Sequence, residues 1–195
     1  MPKADNIINM DHFNQQQVYT ANQDIHGRVR IWSLSPTKSI DKLLLDKSNL
    51  ITMQGADIAA KALSGLPNSA ISHIYVSYSN TNPGTPAAVT VGDTAAWFPS
   101  NATARVPLAF TPGYANEPGY TSNLVYFTVY ITGAAVPDSN YITGLGLVSA
   151  GDPSNAAYDK LFSHITFNGI QYVASQGIAI TWGLTFRAAG LPVPN

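Results

Sequence analysis

Residues 158–187 read YDKLFSHITFNGIQYVASQGIAITWGLTFR, and the end of this stretch decides the fold. Ile178, Ile180, Trp182, Leu184 and Phe186 fall on one face of an extended chain, and Ala179, Thr181, Gly183, Thr185 and Arg187 on the other. A period of two sustained this long marks a half-buried β-strand. Burial of each large side chain on the apolar face is worth roughly 1.5–3 kcal/mol, so this strand belongs in the middle of a sheet. Just upstream, Leu161–Phe167 and Ile170–Ala174 read as two short strands joined by a tight turn at Asn168-Gly169.

Working outward, the other segments supply neighbours. Leu124–Ile131 alternates Val125, Phe127, Val129 and Ile131 against Leu124, Tyr126, Thr128 and Tyr130. The first set is core. The second joins apolar area to polar tips and suits a wet or subunit-facing surface. Tyr141–Ser149 is a strand thinned by Gly144 and Gly146, which mark a bulge or a close approach of backbone. Arg28–Leu34 is the first strand, ended by Ser35-Pro36, and Ile40–Leu45 pairs back on it. Ile71–Tyr78 is a further strand. Arg105–Phe110 is placed at an edge, because Pro107 cannot donate to a central ladder.

One helix is expected, over Gly55–Leu63, with Ile58, Ala59, Ala62 and Leu63 on a common face and Gly65 and Pro67 stopping the run. Long Pro/Gly-rich loops fill 80–104 and 111–123. Many short strands with turn signals between them predict a mainly β chain, an antiparallel β-sandwich with one short helix. Residues 1–24 are Asn/Gln-rich and aperiodic and are expected to form an extended N-terminal arm. The sandwich domain is placed at 25–190 and a C-terminal tail at 191–195.

Composition narrows the function. The chain has 195 residues, formal net charge −1 and only 11% charged residues. Clustered Lys and Arg, which a phosphate-binding surface needs, are absent apart from Arg28 and Arg30, so no direct nucleic-acid partner is expected. No cysteine is present, which excludes disulfides, thiolate catalysis and Cys-ligated zinc. Met1–Asn9 lacks the apolar core of a secretion signal, and no apolar run approaches the ~18 residues of a membrane span. A surface this poor in charge suits a protein that is covered within an assembly, as one copy of a homo-oligomer or beside other subunits.

The residues that could carry chemistry are scattered. His12, His26, His73 and His164 show no metal-ligand spacing, and His73 and His164, both in strands, read as structural. Glu117 is the sole glutamate, and Asp93, Asp138 and Asp152 sit in ordinary turn contexts. No nucleophile elbow, phosphate-cradling loop or dinucleotide fingerprint occurs. The expectation is therefore no catalytic residue, no metal and no cofactor. Contact residues are expected instead: Phe13, Val18 and Tyr19 in the arm, and Tyr114, Tyr120, Tyr126 and Tyr130 as partner contacts. Tyr114 and Tyr120 are also candidates for stacking on a host glycan.

The order of segments carries a resemblance. Asn49-Leu50-Ile51-Thr52, the helix Gly55–Gly65 and Ile71-Ser72-His73-Ile74-Tyr75-Val76 occur in that order. They are followed by a Pro/Ala/Thr loop closing on Asp93-Thr94, a strand led by Arg105-Val106, the Ile142–Leu147 segment, and the closing pair Leu161–Phe167 and Ile178–Phe186. This layout, over about residues 28–187, resembles that of small virion proteins of tailed bacteriophages. The chain departs from the family pattern at Gly144 and His164, where the family often has Glu and Arg, and at Ser77-Tyr78-Ser79, where it has GTG. The resemblance implies a virion location and a structural, non-enzymatic role by subunit contact. That role is a capsid-associated accessory or decoration protein or, alternatively, a neck or tail-fibre adaptor; a carbohydrate-binding host-recognition module is the reading from another class.

Overall fold

The computed structural model describes residues 25–66, 70–108, 118–121, 124–152 and 154–186. Nine strands and one helix make up its regular structure: β1 (Ile25–Leu34), β2 (Ile40–Ile51), α1 (Met53–Leu63), β3 (His73–Ser79), β4 (Thr103–Pro107), β5 (Pro118–Thr121), β6 (Leu124–Ile131), β7 (Tyr141–Ser149), β8 (Lys160–Gln171) and β9 (Ile178–Phe186). All are joined in one antiparallel sheet, in the order β4-β3-β7-β8-β2-β1-β9-β6-β5. The expected class, mainly β with a single helix, is therefore what the chain forms. The strand ladder is continuous, whereas a sandwich has two separate sheets: the sheet is curled on itself so that its two halves enclose one core.

The join between the halves is short. β2 pairs with β1 from Ile40 to Asn49, but with β8 only at Leu50↔His164 and Ile51↔Ser163. The side chains facing inward from the two halves meet in a common cluster. Val29, Ile31, Val129, Ile180 and Trp182 come from one half and Ile74, Val76, Leu145, Leu147 and Ile165 from the other. Trp182 lies fully buried between Val29 of β1 and Phe127 of β6, its cross-strand partners. β9 is thus flanked on both sides, as its alternation predicts.

Several boundaries differ from the sequence reading, each for a physical reason. Asn168-Gly169 is not a turn. β8 runs through it, and its register on β7 slips from Ile142↔Ile170 to Gly144↔Thr166, so the pair sits in a bulge of one long strand. β2 extends to Ile51 because β1 supplies a partner for its polar half as far as Asn49 and β8 pairs Leu50 and Ile51. The loop expected over 111–123 contains β5, which is held as a strand only by its pairing with β6. β4 does lie at the end of the sheet, with Pro107 opposite His73.

The helix is fixed at its first turn. Thr52 Oγ1 caps it by accepting from Gly55 N at 3.0 Å, and the same buried hydroxyl donates to Leu161 O. Gly55 lies so close to β8 that a Cβ there would come within 2.0 Å of the Phe162 carbonyl oxygen. Gly146 makes a similar approach elsewhere: its missing Cβ leaves room for the ring of Phe98 and for Leu161. A register shift lies beside Gly144, as read from the sequence, whereas Gly146 admits side chains, the Phe98 ring and Leu161, and not another backbone.

Candidate interaction site

The outward face of the β2-β1-β9-β6 half carries a trough. Its character follows from alternation. Outward positions on β9 are small, Ala179, Thr181, Gly183 and Thr185, whereas those on the flanking strands are large: Arg28, Arg30 and Trp32 on β1, Leu124, Tyr126 and Tyr130 on β6. Register sets them in rows, Arg28–Gly183–Tyr126, Arg30–Thr181–Thr128 and Trp32–Ala179–Tyr130. The two walls stand roughly 10 Å apart, two strand spacings. The result is a trough of about 280 Å³ floored by Thr181, Gly183 and Thr185 and walled by Arg28, Arg30, Leu124 and Tyr126. At one end Ala179 is fully buried between Trp32 and Tyr130, which closes the trough there.

The charges on this wall are coupled. Asp46 of β2 receives Arg28 through Nε and Nη2, the latter at 3.0 Å, and Arg30 Nε at 3.2 Å. The hydrogen bond from Arg28 holds the Asp46 carboxyl below the usual carboxylate range. Two guanidinium groups share one carboxylate, and both are largely exposed, 61% and 50%. The surface there is net positive in a chain that is net negative.

Comparison with protein-family models, curated proteins and solved structures finds no match for this chain. Its function is therefore argued from the residues themselves.

A second surface is the outer edge of β2. Over Ile40–Asn49 no described strand pairs with its other side, and Ile40, Leu43 and Leu44 are 51%, 47% and 36% exposed. The stretch reads Asp41-Lys42-Leu43-Leu44-Leu45-Asp46-Lys47, an apolar triplet between two acid–base pairs.

The inner polar groups form two clusters on the other half. In the first, Asp159 is wholly buried and receives Arg105 through Nε at 2.8 Å and Nη2 at 3.0 Å, with the Tyr75 hydroxyl as a further donor. Burial and then that hydrogen bond push the Tyr75 phenol up to about 12. Gln54, Phe98 and Thr103 join these residues around a cleft of about 550 Å³. In the second, His164 is fully buried, with Nδ1 3.2 Å from Asp93 Oδ2 and its ring against Trp97 and Phe98. Burial lowers the His164 pKa, and Asp93 offsets part of that effect. Asp93 also accepts from Thr90 N and Oγ1, both at 2.8 Å, so the pair fastens the loop after β3 to β8. Among the described residues no group of three or more His, Asp or Glu could hold a metal.

The structure places the sequence candidates unevenly. Tyr126 stands on the trough wall, and Tyr130 lies in the row that closes its end. Tyr120 occupies the β5 position opposite Val125, a different row from Tyr126. Phe13, Val18, Tyr19 and Tyr114 lie outside the described residues. His73 and His164 do not meet. Tyr75, Gly146 and His164 share a row, and His73 is two residues away along β3, donating to or accepting from Ser72 Oγ. Asp138 ties the loop before β7 to the one after β8 through Ala174 N, and Asp152 holds a turn through Ser154 N. Sequence reasoning missed Trp32, Asp46, Thr181 and Thr185. Their outward phase was readable, but that β1 and β6 flank β9 was not.

Proposed function

We propose that this chain is a structural component of a tailed-bacteriophage particle that acts by subunit contact. It is a capsid-associated accessory or decoration protein present in many copies, with a neck or tail-fibre adaptor as the alternative placement. The observation that carries this reading is the open edge of β2. An unpaired strand with exposed leucines is a template for another chain, and free proteins blunt such edges. Here the apolar triplet Leu43-Leu44-Leu45 is left between Asp41-Lys42 and Asp46-Lys47, which would orient an incoming partner. The low charge of the whole chain and the order of its segments support the same role. In this reading the two halves of the curled sheet act as the two layers of a sandwich. The arm, with Phe13, Val18 and Tyr19, supplies a further contact to a neighbouring subunit.

Quantitative mass spectrometry of purified particles tests the reading. On the order of hundreds of copies indicates a shell position and roughly six to eighteen a neck or tail position, from closed symmetry. Absence of the chain from particles overturns it. Leu43→Asp provides the residue-level test: the folded monomer is expected to keep its melting temperature while incorporation falls, and unchanged incorporation removes β2 as the contact edge.

A further inference from the structure

We propose that the trough above β9 binds an acidic sugar at the end of a glycan. This goes beyond the assembly role and rests on a different surface from the β2 edge. Four features lead to it.

The first is shape. At about 280 Å³, the trough is at the lower limit of the roughly 300–1,000 Å³ typical of ligand pockets. Trp32 and Tyr130 close it over Ala179, and among the described residues its lining ends at Thr185. It therefore takes the end of a chain, one or two rings long, and not a continuous strand crossing the sheet.

The second is the hydrogen-bonding inventory. The interior of a sheet face offers no backbone donors or acceptors, since those are consumed in the ladders between β1, β9 and β6. A polypeptide laid in the trough would leave its own N–H and C=O groups without partners, which is costly. A sugar brings hydroxyls, each both donor and acceptor. The trough offers them Thr181 and Thr185 hydroxyls on its floor and planar, fork-shaped groups at Arg28 and Arg30 on its wall.

The third is apolar contact. Leu124 leans over Gly183, where a Cβ would lie 3.2 Å from its Cδ1, and Tyr126, the register partner of Gly183, continues that wall. The C–H face of a pyranose packs on such a surface while its hydroxyls reach the opposite wall.

The fourth is charge. Asp46 balances one of two arginines. Its bonds to Arg28 use both carboxylate oxygens, while Arg30 shares only one of these, through Nε. The remaining face of the Arg30 guanidinium points the preference toward a carboxylate-bearing sugar, for which arginine provides paired donors.

The experiment uses the full-length protein and two related probes, 3′-sialyllactose and lactose, which differ by the acidic sugar, followed by calorimetric titration. The expected result is saturable binding of sialyllactose at least about tenfold tighter than lactose, ~1.4 kcal/mol. Arg30→Gln leaves the Arg28–Asp46 pair in place and is expected to bring that ratio to near one. Tyr126→Ala is expected to weaken both probes. Thermal melts of both variants establish that they fold. A tetrameric oligogalacturonate serves as a second acid probe, so that a uronate-specific site still registers. Failure of both acid probes to bind, or a preference that survives Arg30→Gln and Tyr126→Ala, overturns the proposal. So does photo-crosslinking from position 126 to the polypeptide of a second copy with no glycan binding.

Discussion

The imidazole of His164 is fully buried with Nδ1 3.2 Å from the carboxylate of Asp93, although 71 residues separate them in the chain. The pair holds the end of the long loop after β3 against β8, where Trp97 and Phe98 pack on the same ring at centroid distances of 4.2 and 4.9 Å. Gly144 leaves space that the Trp97 ring approaches: a Cβ there would lie 3.7 Å from it. Gly144 and His164 thus border one aromatic side chain.

Stability should fall as pH drops through the histidine range. Burial depresses the folded pKa of His164, so the folded chain binds its proton less readily than the unfolded chain does. Below the unfolded value of about 6.5 the unfolded state takes up that proton, and stability is lost with falling pH until the folded value is passed. His73 is depressed too, by burial first and then by Arg105, and adds to the same slope. Chemical denaturation between pH 8 and 5 is therefore expected to give a smaller slope for His164→Gln than for the parent chain. Equal slopes would show that His164 is not the group responsible.

Asp159→Ala should be among the most damaging single substitutions. It takes the carboxylate from Arg105, which keeps its bond to Asp152 O, and removes the acceptor of the Tyr75 hydroxyl. Removal of one partner from a buried pair costs about 3–5 kcal/mol. Arg105 is 22% exposed, so water softens the loss and about 2–4 kcal/mol is expected. Urea midpoints read this directly, and a change below about 1 kcal/mol would place the pair among surface ion pairs in its worth.

Gly55→Ala should destabilise, against helix propensity. In an open helix this change gains roughly 0.5–1 kcal/mol. Here the new methyl meets the Phe162 carbonyl oxygen, a backbone atom of a paired strand, at 2.0 Å. Helix and strand must separate, and overpacking of this kind costs about 1–3 kcal/mol. A raised melting temperature would contradict the close helix–strand approach.

Gly146→Ala tests a softer version of the same constraint. Its Cβ would meet the Phe98 ring at 2.7 Å and Leu161 Cδ1 at 2.9 Å, both side-chain atoms that can yield. Because Phe98 packs on Tyr75 and His164, the strain should spread to the aromatic cluster, with a net cost of about 1–2 kcal/mol. The double variant Gly146→Ala with Phe98→Leu should recover part of it, and absence of recovery would put the strain elsewhere.

The strands were legible where a single face is buried. Leu124–Ile131 is found with the boundaries that alternation predicts and Ile178–Phe186 within one residue, while Tyr141–Ser149 is found as read although both its faces are buried from Gly144 onward. Bulges hid the rest. At Asn168-Gly169 a turn signal is overridden because β7 remains available as a partner on both sides of it. In β1 the slip between Trp32 and Leu34 moves Leu34, and not Ser33, into the core. The pair Arg105–Asp159 and the trough rows join residues remote in sequence, and alternation states only which face a residue takes, never which strand lies beside it.

The seam at Leu50 and Ile51 has a mechanical consequence. Among the described residues these two alone carry ladder hydrogen bonds from β2 to β8; elsewhere the halves meet through side-chain packing, which slides, and a few bonds close to the same seam, such as Lys47 to Thr166 O and Thr52 to Leu161 O. A load pulling the halves apart would concentrate on that stitch, and the molecule would open there like a hinged shell before any single strand was peeled from its neighbour.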